Sequence, residues 1–285
     1  LLTGETGTGK EIFAHAIHQE SNRSQKPFVA INCSAFSKDL LESEMFGYKA
    51  GAFTGAGKDK RGLFEEANQG TIFLDEIGEM DPGLQAKLLR VLESGEFIKV
   101  GESKTTKVNV RIIAATHRNL EEEIALGHFR EDLFYRISAF RIKLPPLRER
   151  TADIELLVHY FINHFQTNTK SVKVSFENHF IDLLKLHTWK GNIRELKNVI
   201  ERSLILMENN LLRIDYLPLE IQQLAIAFTP ADAEKQLSGF SLAAAEKLHI
   251  QKIMNYTQGN KTEAARLLNI AITTLYRKLE EYKIS

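Results

Sequence analysis

Gly4-Glu5-Thr6-Gly7-Thr8-Gly9-Lys10-Glu11 is the stretch from which the rest of this chain can be read. Closely spaced glycines let backbone N–H groups turn inward, and a helix starting after them points its positive end into the turn. Lys10 then supplies a cation that can reach outer phosphates, completing a phosphate-binding loop pattern. Glu11 stands where a magnesium-binding Ser or Thr is usual. Taken alone, the motif leaves a glycine-rich turn before a helix as the plain alternative.

Outward from the loop, residues 28–31, 71–74, 110–114 and 140–144 are short apolar runs that read as buried strands. Residues 10–20 carry Ile12, Phe13, Ala16 and Ile17 on one helical face. Residues 82–93 have Asp81 as a cap, Pro82 in the first turn, and Leu84, Leu88, Leu89 and Leu92 aligned. Strands alternating with helices predict an α/β fold, a doubly wound parallel sheet with its functional loops at the carboxyl ends of the strands. The strand 71–74 runs into Asp75-Glu76. A carboxylate at a strand tip can hold Mg2+ through water, and its neighbour can polarise an attacking water. A phosphate loop and an acidic strand tip, spaced as one sheet requires, are two independent pointers to nucleotide hydrolysis.

Composition sets the outer bounds. The 285 residues are enough for two or three compact units, and 43% apolar with 26% charged residues is ordinary for a globular chain. No apolar run is long enough to span a bilayer, and no stretch has the layout of a signal peptide. The single cysteine, Cys33, excludes an internal disulfide framework and fits a cytoplasmic location. Basic and acidic residues balance at 37 each. From Ser241 onward, seven bases face four acids, which permits a nucleic-acid partner at that end. Leu1 is not a methionine and Gly4 already belongs to the loop, so an upstream segment, including the strand leading into Gly4, is expected to be missing.

Pro145-Pro146 closes the α/β region, placed at residues 1–147. Residues 148–214 are expected to form a helical lid, with helices over 152–166, 175–186 and 192–207. Residues 215–240, with Pro218, Pro230 and Gly239, read as a linker. Residues 241–285 read as a C-terminal all-α domain with helices over 241–257, 261–268 and 272–282. The second of these is expected to bury Ala264, Ala265, Leu267 and Leu268, and the third Leu275 and Leu279. With Asn269-Ile270-Ala271 between them, the spacing is that of a helix-turn-helix. Lys261, Thr262, Thr273, Thr274, Tyr276, Arg277 and Lys278 would then offer hydroxyls and cations to DNA. A small helical dimerisation module remains the alternative.

Gly51-Ala52-Phe53-Thr54-Gly55-Ala56 has small residues around one aromatic and suits a mobile loop tip. With the loop ending in Lys10-Glu11 and the strand ending in Asp75-Glu76, it resembles the AAA+ P-loop NTPase domain of sigma-54-dependent transcription activators, the bacterial enhancer-binding proteins. The resemblance covers nearly the whole chain. It implies ATP and Mg2+ as cofactors, with Gly4 to Glu11 holding the nucleotide, and it makes Glu11 the usual residue after the lysine. It implies that Gly51 to Ala56 grip sigma-54. It assigns Asn32 to holding the catalytic Glu76 in an inactive pose. It makes Arg130 and Arg136, expected on one helix, arginine fingers that complete a neighbouring subunit's site, so that a hexameric or heptameric ring follows. Surface salt bridges to Glu131 and Asp132 are the plain alternative for such arginines. Thr116 and His117 take the first sensor position. Arg194, in Gly191-Asn192-Ile193-Arg194-Glu195-Leu196, takes the second.

The C-terminal end is similar to Fis-type domains, which dimerise on DNA. The resemblance thus implies an activator that remodels the sigma-54 RNA polymerase holoenzyme from upstream sites on double-stranded DNA. An AAA+ remodeller of another target, or a DNA-binding repressor with a vestigial ATPase fold, would be the competing readings.

Overall fold

A computed structural model describes residues 1–166, 174–227, 246, 249–250, 253–254, 257 and 260–282. The chain divides into two compact units, Leu1–Tyr216 and Leu217–Ser285. No helix among the described residues is long and apolar enough to cross a membrane.

The first unit is built on five parallel strands: β1 (Leu2–Thr3), β2 (Phe28–Asn32), β3 (Thr71–Asp75), β4 (Arg111–Thr116) and β5 (Ile142–Lys143), in the spatial order β2-β3-β4-β1-β5. The strand leading into Gly4 is therefore represented: Leu2 pairs with Ala115 on one side and Ile142 on the other. Registers set Asn32 beside Asp75 and Thr3 beside Thr116, so the strand tips share one edge. Because side chains alternate along a strand, Phe73 packs with Leu2, Ala14, Ile113 and Leu144 on one face. Its neighbours Ile72 and Leu74 pack with Phe46, Phe64, Leu84, Leu88 and Phe97 on the other.

Helix α1 (Lys10–Gln19) corrects the expected face. Lys10, Ala14 and His18 are buried, while Ile12 and Phe13 are 73% and 39% exposed. Lys10 must turn into the loop, and positions four apart share a face, so the lysine sets the rotation and small Ala14 meets the sheet. His18 Nδ1 lies 2.9 Å from Thr71 Oγ1 and makes its buried position polar on purpose. The opposite face of the sheet carries α2 (Lys38–Phe46), α3 (Pro82–Ser94) and α4 (Glu131–Ile137). Asp81 caps α3 by accepting from Gly83 N–H at 2.8 Å, as its position before Pro82 suggested. The apolar run 140–144 yields only Ile142–Lys143 as strand, and Phe140 is 74% exposed.

The lid carries α5 (Ala152–Gln166), α6 (Phe180–Leu186) and α7 (Asn192–Leu206). Residues 175–186 do not form one helix. Ser175–Phe176 pairs in parallel with Leu211–Leu212, and His179 adopts a left-handed backbone at φ 64 that a helix interior excludes. Trp189 is fully buried and donates from Nε1 to Leu184 O at 2.7 Å.

In the second unit, the stretch read as a linker begins with short helical turns, Leu219–Gln222 and Gln223–Ala227, and buries Leu217 and Ile221. Two apolar side chains four apart suffice for one buried turn but leave no long periodic signal. The remainder of 215–240, from 228, lies outside the described residues. Helices α8 (Lys261–Leu267) and α9 (Ile272–Glu281) enclose Ile250, Met254, Ala264, Ala265, Leu275 and Leu279. Leu267, expected inside, is 44% exposed. Within 241–257 only Glu246, His249, Ile250, Ile253, Met254 and Thr257 are described, and all but Thr257 are helical.

Candidate functional site

The loop from Gly4 to Lys10 leaves β1 and enters α1 at the edge where the strand tips meet. Gly7 and Gly9 have φ of 80° and 96°, a region open to glycine at little cost. Lys10 is 7% exposed, and its Nζ donates to Gly4 O at 2.9 Å and Glu5 O at 3.2 Å. Burial lowers its pKa, opposed by the charges of Glu76 and Asp75. Thr8 Oγ1 donates back to Glu5 O at 2.8 Å and tightens the turn. Glu11 is exposed in the first turn of α1.

Asp75 ends β3 half-buried and accepts from Glu76 N–H at 3.0 Å. Burial, reinforced by the Glu76 charge, raises its pKa. A cation would relieve that destabilised carboxylate. Among the described residues no group of three or more His, Cys, Asp or Glu could hold a metal. A single carboxylate at a strand tip would suit Mg2+ better than a metal that needs a closed protein cage.

Glu76 has a left-handed backbone at φ 51, just past the end of β3. Its Oε2 lies 2.6 Å from His117 Nδ1 and accepts from His117 N–H at 3.3 Å. Asn32, assigned by resemblance to hold Glu76, instead accepts through Oδ1 from Ser34 N–H at 2.9 Å and Ser34 Oγ at 2.7 Å. The side chain joined to Glu76 here is thus the one expected at the first sensor position. Asn32 thereby caps the short turn that follows it, a local bond that needs no partner element. Thr116 is fully buried, and its hydroxyl accepts from Arg118 N–H at 3.0 Å. Cys33 is buried, and its thiol is pushed up to about 12, chiefly by burial, so it is inert at neutral pH.

The lid closes on the outer side of the loop. Asn192 is fully buried, donates from Nδ2 to Glu5 Oε2 and Thr6 O, both at 3.1 Å, and accepts from Leu147 N–H at 2.8 Å. Arg148 reaches both oxygens of Glu5, at 2.9 and 2.6 Å, and Arg150 Nη2 donates to Thr8 O at 2.9 Å. Hydrogen bonds from Arg148 and then Asn192 hold the Glu5 carboxyl at about 2. Arg194, two residues beyond Asn192, is exposed and close enough to Lys10 for their charges to oppose. Sequence reasoning missed Arg148, Arg150 and Asn192. The Arg-Glu-Arg run after Pro145-Pro146 and the asparagine between Gly191 and Arg194 were the available signals.

Arg130 and Arg136 do not share a helix as expected. Arg130 is the extended residue that caps α4, because its N–H is taken by Gln85 Oε1 at 2.8 Å. Its guanidinium forks onto Asp132 at 3.0 and 2.6 Å, the surface pairing weighed as the alternative. Arg136 donates to Leu92 O at 3.0 Å.

Gly51 to Ala56 form the tip between two antiparallel arms, Gly47–Tyr48 and Lys60–Arg61. Gly51 N–H donates to Ala56 O at 2.8 Å, and Ala56 is buried. Phe53 is 46% exposed and leans edge-on against Tyr48 at 4.9 Å. Ala52 and Thr54 flank it on the outer turn, and Gly55 has φ 104.

In the C-terminal unit, Lys261, Thr262, Thr273, Tyr276 and Arg277 are exposed, with Lys261 Nζ 4.9 Å above the Tyr276 ring. Thr274 is half-buried. Lys278 departs from the expected exposed face: its ammonium bonds to Glu246 Oε2 at 2.8 Å, since position 278 adjoins the buried Leu279 and meets Glu246 from the helical stretch before α8.

Three family descriptions match: Sigma-54 interaction domain over residues 1–143, AAA+ ATPase lid domain over 148–233, and Bacterial regulatory protein, Fis family, over 241–282. The chain is 47% identical over 280 residues to the transcriptional regulatory protein ZraR of Salmonella typhi, covering 98% of this chain and 62% of that protein. It is 44% identical over 288 residues to the regulatory protein AtoC of Escherichia coli K12, covering 100% of this chain and 62% of the relative. It therefore spans about three fifths of these relatives. Among solved structures, NtrX from Brucella abortus in complex with ATP aligns with a TM-score of 0.70 at 34% identity, over 99% of this chain and 63% of NtrX. The chain belongs to the sigma-54 interaction domain family, joined here to an AAA+ lid and a Fis-type DNA-binding domain.

Proposed function

We propose that the chain is the working part of a cytoplasmic ATP-hydrolysing transcription activator that remodels the sigma-54 RNA polymerase holoenzyme at promoters. The observation that carries this reading is one chain with three parts: a phosphate loop facing Asp75-Glu76, an exposed Phe53-Thr54 tip, and a helix-turn-helix with Arg277 outward.

In this reading the backbone N–H groups of Gly4 to Lys10, with the Lys10 and Arg194 side chains, hold the triphosphate, the Glu5 carboxylate staying on the lid, and Asp75 would hold Mg2+. When bound, the ion would supply screening of the phosphate charge. Glu76 polarises the attacking water once it leaves His117, and that release couples hydrolysis to contact at the loop. Asn32 stands at the neighbouring strand tip, as the register beside Asp75 requires. Arg130 and Arg136 exchange Asp132 and Leu92 O for a neighbouring subunit's phosphates, so the competent species is a hexameric or heptameric ring. Each such arginine is worth roughly 10³-fold or more in rate. Lys261, Thr262, Thr273, Thr274, Tyr276 and Arg277 bind upstream double-stranded DNA, with the Fis-type domain as dimer contact.

The test is ATP-dependent open-complex formation at a sigma-54 promoter with purified protein. Thr54→Ala is expected to abolish opening while ATPase activity stays. An oligomer that hydrolyses ATP yet never opens the promoter, with Thr54 intact, would sink the proposal.

A further inference from the structure

We propose that Glu5 is a positioning residue rather than a nucleotide ligand: with Arg148 and Asn192 it anchors the phosphate loop to the lid and so sets where Arg194 stands. The loop has two sides. On the inner side Lys10 bonds the carbonyls of Gly4 and Glu5. On the outer side the Glu5 carboxylate meets the lid, with both oxygens on Arg148 and one also on Asn192. A planar guanidinium fork on a carboxylate defines direction as well as distance. Asn192 makes three side-chain bonds, fully buried, at a left-handed backbone of φ 54. It is the first residue of α7.

Two further contacts fasten the same turn. Ile193 N–H donates to Gly7 O at 3.0 Å, and a Cβ on Gly7 would stand 2.3 Å from Gly191 O and 3.2 Å from Arg194 Cβ. By contrast, the Arg194 guanidinium has no hydrogen bond or ion pair among the described residues. Its position therefore follows from the anchored start of α7. Glu5–Arg148 is the anchor's one ion pair, made through two parallel bonds.

The inference rests on Arg194 contacting the triphosphate. In the full chain, Glu5→Ala is expected to weaken ATP binding roughly three- to fivefold, the upper range for a solvent-exposed ion pair held in fork geometry. Arg148→Lys, which keeps charge but loses the fork, should fall between wild type and Glu5→Ala and serves if Glu5→Ala folds poorly. In an Arg194→Ala background, Glu5→Ala should cost nothing more than about twofold, because the anchored group is gone. Wild-type ATP affinity in both Glu5→Ala and Arg148→Lys overturns the proposal, as does full additivity with Arg194→Ala. If Arg194→Ala itself binds ATP as wild type does, Arg194 is not a phosphate contact. The proposal then falls with that assignment rather than on Glu5.

Discussion

Two glycine-rich loops lie on the same α/β unit, and their glycines are needed for different reasons. In the phosphate loop, Gly7 combines φ 80 with an approach so close that a Cβ would lie 2.3 Å from Gly191 O. In the tip from Gly51 to Ala56, Gly51 and Gly55 have φ of 82° and 104°, but a Cβ on either meets nothing within 4 Å. The first loop is clamped from both sides, by Lys10 inside and by Arg148, Arg150 and Asn192 outside. The second is held by its own backbone, by Phe53 on Tyr48, by Ala52 beside Gly101, and at its base by Asp59, which accepts from Ala50 N–H at 2.9 Å and Lys49 Nζ at 2.5 Å. A site that stabilises developing charge works best when its dipoles do not reorganise. Under the proposed function the tip follows the nucleotide state and has to change shape, and few buried contacts make that inexpensive.

The comparison breaks most visibly at Gly7. Gly7→Ala combines backbone strain with a clash against backbone, together worth about 3–5 kcal/mol, so ATP affinity should fall roughly 10²-fold or more. Titration with a fluorescent ATP analogue checks this. Near-normal affinity would mean that the lid yields easily and the loop is not clamped.

Gly55→Ala is the matched change in the tip. It carries strain alone, about 1–2 kcal/mol, which shifts the loop's conformational population roughly five- to thirtyfold. ATP affinity should stay unchanged while promoter opening declines. Loss of ATP binding in this variant would erase the distinction between the two loops.

The smallest effect sharpens the clamp itself. The Glu5 carboxyl titrates at about 2 in the fold against 4.5 ordinarily. A depressed carboxylate contributes stability that is present above 4.5 and is lost as pH falls from 4.5 towards 2. Thermal unfolding of wild type and Glu5→Gln should therefore differ near neutral pH and converge below 4.5. Midpoints that stay parallel down to acid pH would remove this pair from the clamp.

Much of the site was legible because its parts are local. The loop, the strand ending in Asp75-Glu76 and the Asp81 cap each announce themselves within a few residues. Helix α1 was legible in extent but not in rotation. Its apolar residues suggested one face, whereas the need to aim Lys10 inward buried Ala14 and His18 and left Ile12 outside. The partner of Glu76 was also hidden, since His117 follows the end of another strand, 41 residues away. Lys278 looked like a recognition-helix cation until Glu246, 32 residues earlier, claimed it.

Backbone demands, namely glycine at positive φ, proline in a first turn and acids after an apolar run, are written into neighbouring residues. By itself, then, the sequence determined where the phosphate loop, the acidic strand tip and the helix-turn-helix lie. Only the tertiary structure decided that Glu5 faces Arg148 and Asn192 rather than the nucleotide side of its own loop. A carboxylate's partner is chosen by which element packs against it, and the lid arrives from more than 140 residues away.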